Sequence, residues 1–303
     1  MSKTYDVQTF YNELVEHGLI IPTGVAGVFG RSAVFESIVE AFNNTVSRLC
    51  APDQPERLSF PPIVSRKVIE KVHYLESFPH LCGAVHSFFG TELGSKELAA
   101  AANEGREWGQ MLKMTDVCLT PAICYPVYPT ATGVLPADGR LVDVLGWAYR
   151  HEPSPEPTRL QSFRMRELIR MGSGDQVVEW RNLWLQRGLD LLRSLGLNAN
   201  SDVASDPFFG RGGKVLSKSQ KEQRLKFEVL VPVISAENPT AVCSFNFHQE
   251  HFGSTFEIRQ SDGRIANTAC LGFGLERVTM ALLKEHGFDP GKWPSEARGI
   301  LWP

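Results

Sequence analysis

Between Tyr149 and Glu167 the chain carries Tyr149-Arg-His-Glu152, a proline-stiffened stretch (EPSPEP), and then Arg159-Leu-Gln-Ser-Phe-Arg-Met-Arg-Glu167. This pattern, two dense charged strands around a rigid loop, fixes a strand–loop–strand unit in the middle of the chain. Arginine has a planar fork that grips a phosphate oxygen through two donors at once, so Arg150 and Arg159 are candidate phosphate ligands. Phe163, set between charged neighbours, offers the flat apolar face that an adenine ring requires. Taken alone, the same residues read first as an ordinary charged hairpin with Phe163 as a core anchor.

With 303 residues, 43% of them apolar, the chain can bury one large core. A single domain over 1–303 is expected, because no repeat and no convincing interdomain linker appears. A net charge of -3, from 31 basic and 34 acidic residues, gives no global field that would gather a polyanion such as tRNA. The N-terminal residues mix charges and lack the apolar run of a signal peptide, and no stretch is long enough to span a bilayer. A cytoplasmic protein without membrane contact is therefore expected. The six cysteines (Cys50, Cys82, Cys118, Cys124, Cys243, Cys270) are scattered without a CxxC pair, and buried reduced thiols are the first reading for all of them.

Residues 32–49 place Val34, Ile38, Phe42 and Val46 on one face and predict a long amphipathic helix. Residues 57–64 are a short apolar run broken by Pro61 and Pro62, which suits an edge or interface strand. An exposed helical insertion is expected over 91–115, around an alanine run at 99–102. Strand-like runs at 117–120, 141–145, 227–234 and 241–247 stand apart from helices at 177–195 and 275–286. That grouping predicts an α+β fold with an antiparallel sheet flanked by helices. Near the C-terminus, Asn267-Thr-Ala-Cys-Leu-Gly-Phe-Gly-Leu-Glu-Arg277 runs straight into a helical pattern. Gly272 and Gly274 let backbone approach a ligand, and Arg277 enters the first helical turn. A GxG before a helix most often signals only tight packing.

The order of these segments is more specific than any one of them. Tyr149 through Glu167 resembles motif two of the class II aminoacyl-tRNA synthetases, seryl-tRNA synthetase above all; Gly272-Phe-Gly-Leu-Glu-Arg277 resembles motif three; and the 32–49 helix with Ser59-Phe-Pro-Pro-Ile63 resembles motif one. The resemblance covers roughly residues 28–286. It implies the class II catalytic fold and a homodimer built through motif one. It also implies ATP and Mg²⁺, with the nucleotide held by Arg150, Glu152, Arg159, Leu160, Phe163, Glu228, Ala241, Ser244 and Arg277. Arg150 and Arg277 would stabilise the charge developing on the phosphate. The strand at 241–247 resembles the one that holds ATP and magnesium, but its usual acidic residue is replaced near Thr240, leaving Glu237 and Glu250 as candidates to take its place.

Leu119-Thr-Pro-Ala-Ile-Cys-Tyr-Pro126 resembles the loop that contacts the substrate amino acid, with Cys124 where the common bacterial enzyme has a glutamate. The methanogen seryl-tRNA synthetases resemble this pattern and hold zinc on cysteine and glutamate at the same motif positions. Their likeness implies Zn²⁺ on Cys124, Glu167 and Cys270, an open fourth position for the substrate amino group, and Asn246 at the substrate as well. Spacing alone does not make this site, since three ligands so far apart in sequence read as buried thiols and a carboxylate. Cys50, Cys82, Cys118 and Cys243 stay core residues, and His248 and His251 stay hydrogen-bonded structural groups.

Seryl-tRNA synthetases carry an N-terminal tRNA-binding arm, which a chain reaching its motif-one helix by about Ser32 is expected to lack. The resemblance is closer to the amino acid:carrier protein ligases. These are truncated seryl-type homologues that activate a small amino acid, glycine or alanine, and pass it to the phosphopantetheine thiol of a carrier protein. No tRNA partner is expected. Carrier proteins are generally acidic, and 209–224 is locally basic through Arg211, Lys214, Lys218, Lys221 and Arg224. This segment either steers such a partner or is a solvated surface loop, and the 91–115 helix is the other expected docking place. A tRNA synthetase and a catalytically silent amino-acid-binding regulator are the alternative functions.

Overall fold

Alternating and fully apolar runs become strands wherever they can pair. The computed structural model, which describes residues 7–303, contains β1 (Glu56–Leu58), β2 (Ile63–Ser65), β3 (Ala84–Ser87), β4 (Lys113–Leu119), β5 (Arg140–Tyr149), β6 (Ser162–Gly172), β7 (Asn200–Val203), β8 (Lys226–Val231), β9 (Thr240–Gln249) and β10 (Asn267–Gly274). A seven-stranded sheet has the order β7-β8-β9-β10-β6-β5-β1. It is antiparallel except for the edge pair β1–β5, which is parallel. A separate three-stranded sheet has the order β2-β4-β3. The expected α+β architecture is present, and the run holding Pro61 and Pro62 falls between an edge strand of one sheet and an edge strand of the other, where missing N–H donors do no harm.

The longer helices are α1 (Val7–Glu16), α2 (Ala33–Cys50), α3 (Glu92–Asn103), α4 (Gly174–Ser194), α5 (Gly210–Glu222) and α7 (Leu275–His286), with a short α6 (His251–Phe256) before the last one. One core joins α1, α2, α4 and α7 to the large sheet through Phe10, Phe42, Trp184, Phe245, Phe273 and Leu282. A second core, of Val64, Ile123, Tyr128, Val142, Ile169 and Phe252, fills the space around the small sheet. Strand β10 is buried along nearly its whole length, as a central strand covered on both faces must be. Among the described residues no helix is long and apolar enough to cross a membrane.

Three local expectations need correction. Helix α2 is capped by Ser32, whose hydroxyl accepts the Phe35 N–H at 3.3 Å. Its buried stripe is Phe35, Ile38, Val39, Phe42 and Val46, whereas Val34 is 43% exposed. The i, i+3, i+4, i+7 ridge starts one residue later than the simple four-residue spacing suggests. The insertion over 91–115 is α-helical only to Asn103; Gly105 at φ 68° stops it, a single 3-10 turn follows at Gly109–Met111, and the chain returns as β4 from Lys113. The basic 209–224 segment is the helix α5 rather than a loop.

Charged residues of the motif-two strand are buried by pairing. Arg166, 1% exposed, forks onto Asp143 of β5 and also donates to Asn43 and Ser47 of α2. Glu276, at the start of α7 and fully buried, accepts the Arg164 backbone N–H at 2.7 Å and its Nε–H at 2.8 Å, and Arg31 lies 3.5 Å away. Arg164 reaches on to Glu36 of α2 at 2.8 Å. These bonds fasten motif one, motif two and motif three together.

Phe42 meets Phe273 edge-on at 5.6 Å, so Phe42→Ala should lower unfolding free energy by about 3–5 kcal/mol in denaturant melts, while Val34→Ala should change it by less than about 0.5 kcal/mol. Glu276→Gln leaves two largely buried guanidinium groups facing a neutral amide. It should cost about 3–5 kcal/mol in the same measurement.

Candidate active site

Successive side chains of a strand point to opposite faces, so one face of neighbouring strands collects residues two apart in sequence. On one face of the large sheet, Phe163, Met165 and Glu167 of β6, Glu228 of β8, Ser244, Asn246 and His248 of β9, and Cys270, Gly272 and Gly274 of β10 line a cavity of about 430 Å³. The pairing sets their alignment: Asn246 opposes Cys270, Gly272 lies between Ser244 and Glu167, and Glu228 opposes Ser244. A Cβ at Gly272 would come within 2.5 Å of the Met165 methyl and 3.2 Å of Glu167 Cγ. Glycine is thus needed there to seat the neighbouring side chains.

Positive charge converges at one end. Arg277 is part-buried; its Nε donates to the Thr158 carbonyl at 2.8 Å and one Nη to the Ala241 carbonyl at 3.0 Å. Arg150 donates to the Pro121 carbonyl at 3.0 Å, and its guanidinium sits 5.6 Å from the Phe163 ring centre. Burial, and after it the charge of Arg150, lowers the Arg277 pKa. Among the described residues neither guanidinium group forms an ion pair with a carboxylate, and the two repel one another. Glu152 binds Arg159 at 2.9 Å. Leu160 is buried at the cavity wall, and Glu228 pairs with the buried Lys226 at 3.0 Å.

Acidic groups gather at another place in the same cavity. Cys124, Glu167 and Cys270 are all buried, and their donor atoms lie within 4.8 Å of one another. Burial pushes the Glu167 carboxyl up to about 8. A hydrogen bond with the Cys124 thiol, helped by His248 and Asn246, holds Cys270 well below the usual thiol range, while that bond and burial push Cys124 well above it. Glu167 Oε2 is buried and has no hydrogen-bond partner among the described residues. Three buried acids so close together cannot all ionise unless a cation joins them. Two thiolates and a carboxylate in this proximity are a donor set that zinc accepts with one position left open.

The expected site residues are brought together with one exception: Arg159 does not line the cavity but stands at its rim, half-exposed, with Glu152. Neither Glu237 nor Glu250 lines the cavity; both are exposed near the ends of β9, and the carboxylates that line it are Glu152, Glu167, Asp206, Glu228 and Glu276. The aromatic wall was not foreseen. Tyr74, Phe78 and Phe208 line the cavity, with the Phe78 and Phe208 rings stacked at 5.2 Å. No local pattern announces them, because they come from a short helical turn and a loop. His248 is a hydrogen-bonded group as expected, and it also lines the cavity, two residues beyond Asn246 on β9.

No protein-family model matches the chain. Amino acid–acyl-carrier-protein ligase 1 of Bradyrhizobium diazoefficiens is 44% identical over 280 residues, which is 92% of this chain and 86% of that protein. The type-2 serine–tRNA ligase of Methanothermobacter thermautotrophicus is 27% identical over 90% of this chain and 57% of its own length. In the solved structures, the seryl-tRNA synthetase of Methanopyrus kandleri, in complex with a tRNASec, superposes with a TM-score of 0.81 at 21% identity, over 99% of this chain. The chain spans 61% of that synthetase, so the likeness fixes the fold of the catalytic part. With identity this high over most of both proteins, and with the class II seryl-type catalytic fold around its cavity, the chain belongs to the amino acid–acyl-carrier-protein ligase family.

Proposed function

We propose that the chain activates a small amino acid with ATP and passes it to the phosphopantetheine thiol of a carrier protein. The observation that carries this reading is the polarity of one cavity, with unpaired guanidinium groups at one end and a Cys-Glu-Cys donor set at another. An aminoacyl adenylate has the matching polarity, an anionic phosphate and a primary amine separated by a short acyl linker.

In the first step an amino acid carboxylate oxygen forms a bond to the α-phosphorus of ATP as the bond to pyrophosphate breaks. Arg150 and Arg277 stabilise the charge that grows on the phosphate oxygens. Phe163 supplies an apolar face for adenine next to Leu160, and the Glu152–Arg159 pair guards the rim. Glu228 and Ser244, opposite one another on β8 and β9, are oxygen donors of the type Mg²⁺ takes. Cys124, Glu167 and Cys270 would hold zinc, with Asn246 beside them. When bound there, zinc supplies a Lewis-acid position for the neutral α-amino group. In the second step the carrier thiolate bonds to the acyl carbon and AMP departs with the electron pair of the broken C–O bond. An adenylate is reactive enough for a positioned thiol to attack without a dedicated base.

Bulky neighbours of the donor set, Met165, Tyr125 and Phe252, favour glycine or alanine, although one methyl group separates these by only about 1–3 kcal/mol. Helix α5 presents Arg211, Lys214, Lys218 and Lys221 to solvent while Gln220 on its other side lines the cavity. This places a basic face beside the opening, where an acidic carrier would be drawn. α3 has no such basic excess. A homodimer through motif one, where Ile63 remains exposed, and a cytoplasmic setting complete the reading.

ATP–pyrophosphate exchange with glycine, alanine and serine tests the first step, and loading of carrier protein against tRNA tests the second. Exchange with glycine or alanine and loading of the carrier alone is expected, with Arg277→Ala slowing exchange by about 10²–10³-fold. Loading of tRNA would restore the synthetase reading; no exchange with any amino acid would favour a silent regulator.

A further inference from the structure

We infer that His248 is a positioning residue for the Cys270 thiolate, fixing one ligand of the zinc site without binding the metal itself. The inference rests on the zinc reading above and assigns a role to a side chain outside that donor set.

Cys270 Sγ has two nitrogen neighbours, Asn246 Nδ2 at 3.5 Å and His248 Nε2 at 3.6 Å, both within the range of N–H donation to sulfur. The far side of the imidazole is held as well. His248 Nδ1 lies 3.1 Å from Thr268 Oγ1, and Thr268 is fully buried. A hydroxyl that donates to Nδ1 leaves the ring proton on Nε2, where it points at the sulfur; the other tautomer would set a nitrogen lone pair against a thiolate. The ring plane is locked by edge contacts with Phe252 at 4.9 Å and Tyr128 at 6.2 Å, two rings that themselves stack at 4.0 Å.

The backbone is bent to achieve this. Across β9 and β10, Phe247 pairs with Ala269 and Gln249 with Thr268, so His248 is the extra residue of a bulge. Gln249 follows at φ 54°, a left-handed conformation that a non-glycine residue adopts at a cost. Bulges re-aim side chains and gather next to functional sites.

His248 could instead be a fourth metal ligand, but the distances exclude it from the set. The groups whose donor atoms all lie within 4.8 Å of one another are Cys124, Glu167 and Cys270, without His248. Its ring is therefore placed to donate to one ligand while the fourth position stays open. Two thiolates and a carboxylate outweigh a divalent cation by one negative charge. N–H donors on the sulfur spread that excess and orient the ligand, as the outer partners of metal-binding side chains do.

The test uses the full chain, with Zn²⁺ affinity read by competition against a chelating dye and Co²⁺ substitution read by its thiolate-to-metal charge-transfer band. Circular dichroism of the metal-free proteins checks folding. His248→Ala is expected to weaken Zn²⁺ binding by about 10- to 100-fold and to shift the Co²⁺ band. His248→Gln, which restores an N–H donor, should recover much of both, and Cys124→Ala should abolish the band's wild-type form. If His248→Ala binds zinc like the wild type with an unmoved band while Cys124→Ala does not, the inference is overturned and the zinc reading stands. If Cys124→Ala also binds like the wild type, the zinc reading falls, and this inference with it. Should His248→Ala not fold, Thr268→Val removes the hydroxyl that sets the tautomer. A weaker loss of the same sign then supports the inference, and wild-type affinity overturns it.

Discussion

The site depends on a carboxylate that never meets water. Glu276 accepts both the backbone N–H and the guanidinium of Arg164, with Arg31 beside it, and the next residue, Arg277, points into the cavity. One buried anion thereby joins the motif-two strand to the motif-three helix, and through Arg164 and Glu36 it reaches the motif-one helix. A buried charge is tolerated only when it is paired and hydrogen-bonded, so this cluster forms completely or not at all. The neighbouring Arg277 is held by two carbonyl partners, Thr158 and Ala241.

A second constraint acts within the cavity. The sheet brings groups that repel into two places, guanidinium groups in one and acidic donors in the other, and neither place is satisfied by the protein alone. Most buried polar groups in folded proteins find partners. The Glu167 oxygen without one lies in the same group as a carboxyl raised by burial and a Cys270 thiol held low by its neighbours. Gly272 is the steric counterpart of this arrangement: it is the one position at which Glu167 and Ser244 face the same backbone from either side.

Much of this was legible in the sequence. The strand–loop–strand unit with its arginines, the run into α7, and the α+β grouping all follow from local patterns, and the family likeness joined Cys124, Glu167 and Cys270, which no local spacing connects. What escaped was set by tertiary register. The α2 stripe takes in Phe35 and Val39 and leaves out Val34 because a buried helical face follows steps of three and four residues, not a strict step of four. Arg159 leaves the cavity because Glu152 holds it at the rim, and periodicity cannot tell a rim from a wall. Tyr74, Phe78 and Phe208 meet only after the chain has folded. His248 was readable from strand alternation, but the bulge that aims it was not.

The most direct test of the account is the affinity of a non-hydrolysable glycyl sulfamoyl adenosine, measured by calorimetry on zinc-loaded and on chelator-treated protein, with AMP as the reference ligand. Tight binding of the analogue that weakens strongly when metal is removed, while AMP binding is unchanged, is the predicted result. Equal affinity for the analogue with and without metal would contradict the claim that one cavity reads both ends of an aminoacyl adenylate.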